Sequence, residues 1–127
     1  MSSRDLNDCE EKLQIAFRAL EREFMSKTGN KLLITCTYRS PEEQQALFNK
    51  GRFGDTNPIV TMLDGIEKKS NHNFLPSRAI DVAVLIGDKV SWSSSYYWPL
   101  VELAPNHGLV SGGSWFKWKD FPHLELA

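Results

Sequence analysis

A chain of 127 residues, 41% hydrophobic and 24% charged, is long enough for one domain with a real core, and its composition is that of an ordinary soluble globular protein. The net charge of −1 argues against a nucleic-acid binder, which carries a basic surplus, and no apolar run approaches the roughly 20 residues needed to span a membrane. The N-terminus Met1-Ser2-Ser3-Arg4-Asp5 lacks the apolar stretch of a signal peptide, so the expected place of synthesis is the cytoplasm. Cys9 and Cys36 stand at apolar-periodic positions and match no metal spacing, which predicts two buried free thiols.

In chain order, Leu6, Cys9, Leu13, Ala16, Phe17, Leu20 and Phe24 recur at three- and four-residue steps and predict an amphipathic helix over 5–26, stopped by Gly29. Residues 31–38, rich in Leu, Ile and Thr, read as a strand. Strict alternation there would turn Thr35, Thr37 and Arg39 one way and Cys36 and Tyr38 the other. Ser40-Pro41-Glu42-Glu43 has the form of a helix start: a hydroxyl N-cap, a proline in the first turn and an acid three positions on. Gly51 ends that helix.

Residues 52–77 hold no sustained period, and so long an irregular stretch points to a site-forming loop. A strand follows over 78–86, with Gly87-Asp88 as a hairpin turn and 89–92 returning. Asp81 is a carboxylate inside this otherwise apolar run, so it needs a partner. A further helix is expected over 94–106, limited by Pro105, then a Gly-rich stretch over 108–113 and a strand-like alternation over 115–126 broken at Pro122.

Two distant segments carry chemistry: residues 70–81, with His72 and Asp81, and residues 120–125, with Asp120, His123 and Glu125. Two imidazoles and one carboxylate suffice for a catalytic zinc, which takes three protein ligands and keeps one position open. Singly, each residue has a plainer explanation: a loop histidine, a strand-edge charge, a histidine near a terminus. The reading of one zinc ion on His72, Asp81 and His123 rests on the set. Glu125, two residues past His123 in an extended chain, shares its face and is placed to orient its imidazole. His107, at a helix end, reads as a surface residue outside the set.

Ser70-x-His72, a short loop, Ala79-x-Asp81 and the terminal Asp120-x-Pro122-His123-x-Glu125 resemble the signature of the zinc D,D-peptidase family of D-Ala-D-Ala carboxypeptidases and dipeptidases and phage L-alanyl-D-glutamate endolysins. Tyr38-Arg39-Ser40, with Gln45 after it, and Gly112-Gly113-Ser114-Trp115 match further family segments, so the likeness spans about residues 35–127 in family order. His72 and Asp81 stand further apart than in many members, the extra residues falling in Phe74-Leu75-Pro76-Ser77.

The resemblance implies a fold and an activity. The fold is a small α+β domain over 1–127, an antiparallel sheet with helices packed on one face, as in D,D-peptidase and hedgehog-like proteins. The activity is that of a zinc metallopeptidase on the stem peptide of bacterial peptidoglycan. It makes Asp120 the general acid/base and Arg39 the residue that stabilises the oxyanion or holds a substrate carboxylate. Ser70, Gln45 and Trp115 become supporting or substrate-binding residues, with Trp118 a second cleft candidate. Small size and the missing signal peptide fit a monomeric phage endolysin, released by a holin-type route and cutting L-Ala–D-Glu. A D-Ala-D-Ala peptidase and an inactive metal-stabilised wall-binding module are the alternatives.

Overall fold

In the computed structural model, residues 2–52, 58–59, 61, 63–65, 69–116 and 119–127 are described. The first helix is divided where the sequence predicts continuity. Leu6–Asp8 form one 3-10 turn capped by the Asp5 carboxylate, which accepts from the Asn7 N–H. The backbone then leaves the helix because Ser77 claims it: Ser77 N–H donates to the Asp8 carbonyl and Glu10 N–H to the Ser77 carbonyl. Helix α1 (Glu11–Thr28) follows and ends at Gly29, whose positive φ of 76° lets its N–H turn back to the Met25 carbonyl.

Strand β1 (Lys31–Cys36) is shorter than the predicted strand, and its register against the next strand slips between Ile34 and Cys36. The slip is a β-bulge, which breaks the period-two alternation. Cys36 and Arg39 therefore serve the same side of the sheet, contrary to the strict alternation expected of them. Helix α2 (Pro41–Asn49) starts as predicted, with the Ser40 hydroxyl accepting from the Glu43 N–H at 3.2 Å.

Strand β2 (Ala79–Ile86) turns through Gly87-Asp88 into β3 (Lys89–Ser91). The helix expected over 94–106 resolves into a 3-10 turn at Ser94–Tyr96, helix α3 (Trp98–Leu103) and a second 3-10 turn at Ala104–His107. Pro105, which has no N–H to give, ends the α ladder. The Gly-rich stretch conceals strand β4 (Leu109–Ser111), and only the last part of the expected 115–126 alternation is a strand, β5 (His123–Leu126).

The sheet runs β1-β2-β5-β4, with β3 also paired to β2, and every pairing is antiparallel. One face of β2, through Ile80, Val82 and Val84, packs with Leu124 against Leu13, Phe17, Leu20 and Phe24 of α1 and Leu100 and Leu103 of α3. The other face carries Asp81. His107, outside the core, pairs with Glu23 of α1 at 3.0 Å. Cys9 and Cys36 are both free and buried. Among the described residues no helix is long and apolar enough to cross a membrane.

Phe17 is wholly buried at the centre of the helix–sheet layer. Phe17→Ala is expected to cost about 3–5 kcal/mol of stability, the usual range for deleting a core aromatic, read from the shift in denaturant midpoint.

Candidate metal centre and active site

Strand pairing sets the centre. In the β2–β5 register Asp81 lies opposite His123, and on the other edge of β2 it lies opposite Cys36. The third segment is the 3-10 turn Asn71–Asn73, capped by Ser70. The Ser70 hydroxyl accepts from the His72 N–H, and the Asn73 side chain accepts from the Ser70 N–H in return. This turn is fastened to the segment after β1 by two bonds: Arg39 N–H to the His72 carbonyl at 2.8 Å and Asn73 Nδ2 to the Arg39 carbonyl at 2.9 Å.

One carboxylate oxygen gathers both imidazoles. Asp81 Oδ1 lies 3.0 Å from His72 Nε2 and 3.2 Å from His123 Nδ1, while Oδ2 faces the Arg39 guanidinium at 3.5 Å. The outer ring nitrogens are occupied as well. His72 Nδ1 donates to the Thr37 carbonyl at 2.7 Å, and His123 Nε2 donates to Glu125 Oε1 at 2.6 Å. Glu125 is held in turn by Asn71 Nδ2 at 2.9 Å. Imidazoles that give their outer N–H to a carbonyl or carboxylate keep the inner nitrogen free as a ligand, which is how metal-binding histidines are oriented.

Among the described residues, two groups bring ligand atoms within 4.8 Å of one another, Cys36–His72–Asp81 and Asp81–Asp120–His123, and Asp81 belongs to both. Neither group holds both imidazoles; Asp81 joins them, and the nitrogen and oxygen donors gathered on it suit a divalent metal ion. The nine-position spacing of His72 and Asp81 is no obstacle, since their ligand atoms meet.

The electrostatics follow from the geometry. Burial disfavours a charged His72, but the Asp81 carboxylate outweighs it and holds the imidazole up at about 10. For His123 burial is likewise outweighed, by Asp81 and Glu125, and it stands at about 9. Burial would raise Asp81, yet the two imidazoles hold it far below the ordinary carboxylate range. Asp120 moves the other way: burial first, then the negative charge of Asp81, raise it.

Two glycines shape the wall around Asp120. A Cβ on Gly112 would sit 2.2 Å from the Asp120 carbonyl oxygen, and one on Gly113 would sit 2.6 Å from the Phe121 ring. Gly112 also accepts the Asp120 N–H at 3.0 Å. The Gly112-Gly113 pair thus lets the segment carrying Asp120 lie flat against β4, and Trp115 beyond it puts its ring 5.0 Å from that of His123.

The structure brings together His72, Asp81, His123, Asp120, Arg39, Glu125, Ser70 and Trp115. It does not bring in Gln45, which is exposed on α2; its buried neighbour Gln44 accepts from Arg39 Nη1 at 2.9 Å instead. A helix turns adjacent residues about 100° apart, so a one-residue choice decides which glutamine meets the sheet. Trp118 lies outside the described residues, as do parts of the loop over 52–77. Sequence reasoning missed Cys36, Thr37, Asn71 and Asn73. The first pair is hidden by the bulge. The asparagines flank His72, and their side-chain amides were the available signal.

No family model matches the chain. It is 36% identical over 108 residues to the peptidoglycan L-alanyl-D-glutamate endopeptidase CwlK of Bacillus subtilis, an alignment covering 77% of this chain. The chain is similar in sequence to that endopeptidase. It spans 62% of the relative's length. Among solved structures, the Serratia marcescens L-Ala D-Glu endopeptidase ChiX superposes with a TM-score of 0.72 at 20% identity, over 100% of this chain and 89% of that one. This likeness gives the fold, and it is the α+β peptidase fold expected from the motifs.

Metal binding should be steeply pH-dependent. Without metal both imidazoles carry protons at neutral pH, and each must lose its proton to ligate. Because both values are raised, the proton cost is largest at low pH and vanishes above about pH 10. The apparent affinity for zinc, measured by competition with a chelator, is expected to rise by up to about a hundredfold per pH unit from about pH 7 to about pH 9. A flat profile across that interval would contradict the shared-carboxylate geometry.

Proposed function

We propose that this chain is a zinc-dependent hydrolase of the peptidoglycan stem peptide that cuts the L-Ala–D-Glu bond. The observation that carries the reading is the meeting of His72 Nε2 and His123 Nδ1 on Asp81 Oδ1, in a chain similar in sequence to an L-alanyl-D-glutamate endopeptidase. His72, Asp81 and His123 hold the ion. When bound, it supplies Lewis acidity, which polarises a peptide carbonyl and makes water a nucleophile near neutral pH.

The remaining roles belong to the chain's own side chains. Asp120 takes the proton from the attacking water at its carboxylate and returns it to the leaving amine. Its raised pKa supports this, since a proton carrier works best when its own affinity lies nearer the working pH. Arg39 is braced by Gln44 and faces Asp81, so its guanidinium has a fixed direction from which to meet a developing oxyanion. Glu125 orients His123, Ser70 sets the turn that carries His72, and the Trp115 ring shields the His123 side. Delivery to the wall by a holin-type route, from a cytoplasmic site of synthesis, is part of the same proposal.

Mass spectrometry of digested peptidoglycan tests the bond. The expected products are a glycan-linked L-Ala and a stem fragment with a new N-terminal D-Glu; release of D-Ala alone would transfer the chain to the carboxypeptidase class. A variant pair tests the acids flanking His123. Asp120→Asn should keep its zinc and lose about a hundredfold or more in turnover, the usual scale for a general acid–base group. Glu125→Gln should chiefly weaken zinc affinity, by about tenfold or more, and recover when zinc is saturating. Normal hydrolysis by Asp120→Asn would remove Asp120 from the chemistry.

A further inference from the structure

An open cavity of about 740 Å³ adjoins the centre at Asp81 and Arg39. That is the size of pocket that takes a small peptide. It is lined by Asp81 and Arg39 of the centre, by Ala46 and Leu47 of α2 and by the exposed Arg4 and Lys50. Arg4 is carried by an N-terminal segment pinned to the chain after β1, with Ser3 N–H donating to the Tyr38 carbonyl and Thr37 N–H to the Ser3 carbonyl, each at 2.8 Å.

The charges in this cavity are unequally matched. Asp81 already meets two imidazoles and Arg39, and the Glu43 carboxylate accepts from the Ser2 and Ser40 hydroxyls. The Arg39 guanidinium meets Gln44 and Asp81 through its two terminal nitrogens, while its buried Nε meets no partner among the described residues. Among the described residues, neither Arg4 nor Lys50 meets a carboxylate within ion-pair distance. The lining of this groove thus carries three cations, Arg4, Arg39 and Lys50, against two carboxylates, Glu43 and Asp81, in a chain whose net charge is −1. Such a groove concentrates anions.

We propose that this cavity is the subsite for the acidic, leaving side of the substrate, and that Arg4 and Lys50 select its carboxylates. The inference rests on the stem-peptide reading and deepens it. A D-glutamate joined through its γ-carboxyl leaves its α-carboxylate free immediately after the cut bond, and further carboxylates follow along the stem. A peptide with Arg39 at its scissile carbonyl and its leaving side in the groove brings those anions to Arg4 and Lys50. Their side chains are exposed, so each contact is modest and acts as selection rather than as tight binding.

The test compares two peptides with the zinc-loaded full chain: L-Ala-γ-D-Glu-L-Lys, and the same peptide with the α-carboxylate of D-Glu converted to the carboxamide. Wild type is expected to favour the acidic peptide by about tenfold in kcat/KM, mostly through KM, with the preference shrinking as salt is raised. In the double variant Arg4→Gln, Lys50→Gln the preference should fall to about twofold or less. Lys50→Glu alone, at an exposed position, should reverse it. Equal cleavage of both peptides by wild type, or an undiminished preference in the double variant, overturns the proposal. Failure of wild type to cut either peptide, with peptidoglycan also intact, overturns the peptidase reading and this one with it.

Discussion

A carboxylate set in the middle of an apolar strand is the constraint on which the rest of this molecule depends. Asp81 sits between Ile80 and Val82, both buried in the core, and an uncompensated charge there would be costly. The fold answers by bringing three cationic or proton-bearing groups to the two oxygens: His72 from a 3-10 turn, His123 from the paired strand and Arg39 from beyond the bulge in β1. Each comes from a different element, so the charge knits together segments that the hydrophobic core does not reach. Removing any one partner would leave the Asp81 charge less compensated, which is why an ionic cluster of this kind is costly to break even when it adds little net stability.

The same cluster explains how a small sheet holds a precise site. Helices α1 and α3 cover one face and leave the other free for chemistry. On that free face hydrogen bonds from backbone and side chains fix the site residues. The Thr37 carbonyl fixes one imidazole, Glu125 the other, and Asn71 and Asn73 tie the His72 turn to β5 and to Arg39. Each ring is left with a single useful nitrogen, aimed inward. The polarity of the site is thus asymmetric: nitrogen donors and a matched carboxylate at the centre, a half-buried acid on the β4 side and a cation-lined groove on the α2 side.

Much of this was legible in the sequence, for identifiable reasons. The α1 stripe of Leu13, Phe17, Leu20 and Phe24 and the alternation of Ile80, Val82 and Val84 state the helix–sheet layer directly, because periodicity reports which face meets the core. Asp81 betrayed itself as a charge in an apolar run. The motif order resembled a peptidase family, and the sequence similarity to CwlK and the fold likeness to ChiX agree with it. What escaped was set by tertiary hydrogen bonds. Ser77 capturing the backbone of residues 8–10 divides the first helix, and a bulge turns Cys36 toward the site. Neither event has a local signature. Strand β4 hid among glycines because its pairing with β5, not its composition, makes it a strand.

The segment between His72 and Asp81 is closed at its base, where Arg78 N–H donates to the Asn71 carbonyl at 3.0 Å, and the Phe74 ring lies 3.9 Å beneath the Arg78 guanidinium. Leu75 and Pro76 form the tip beyond this closure, and Leu75 is 65% exposed. Chain added at the tip runs into water and leaves both ends where the base holds them. A change in the number of residues at the tip therefore leaves both ligands in place. In engineering terms, this tip is the splice point of the molecule: a short foreign peptide, an affinity tag or a targeting sequence, can be carried there while the base of the loop keeps its geometry.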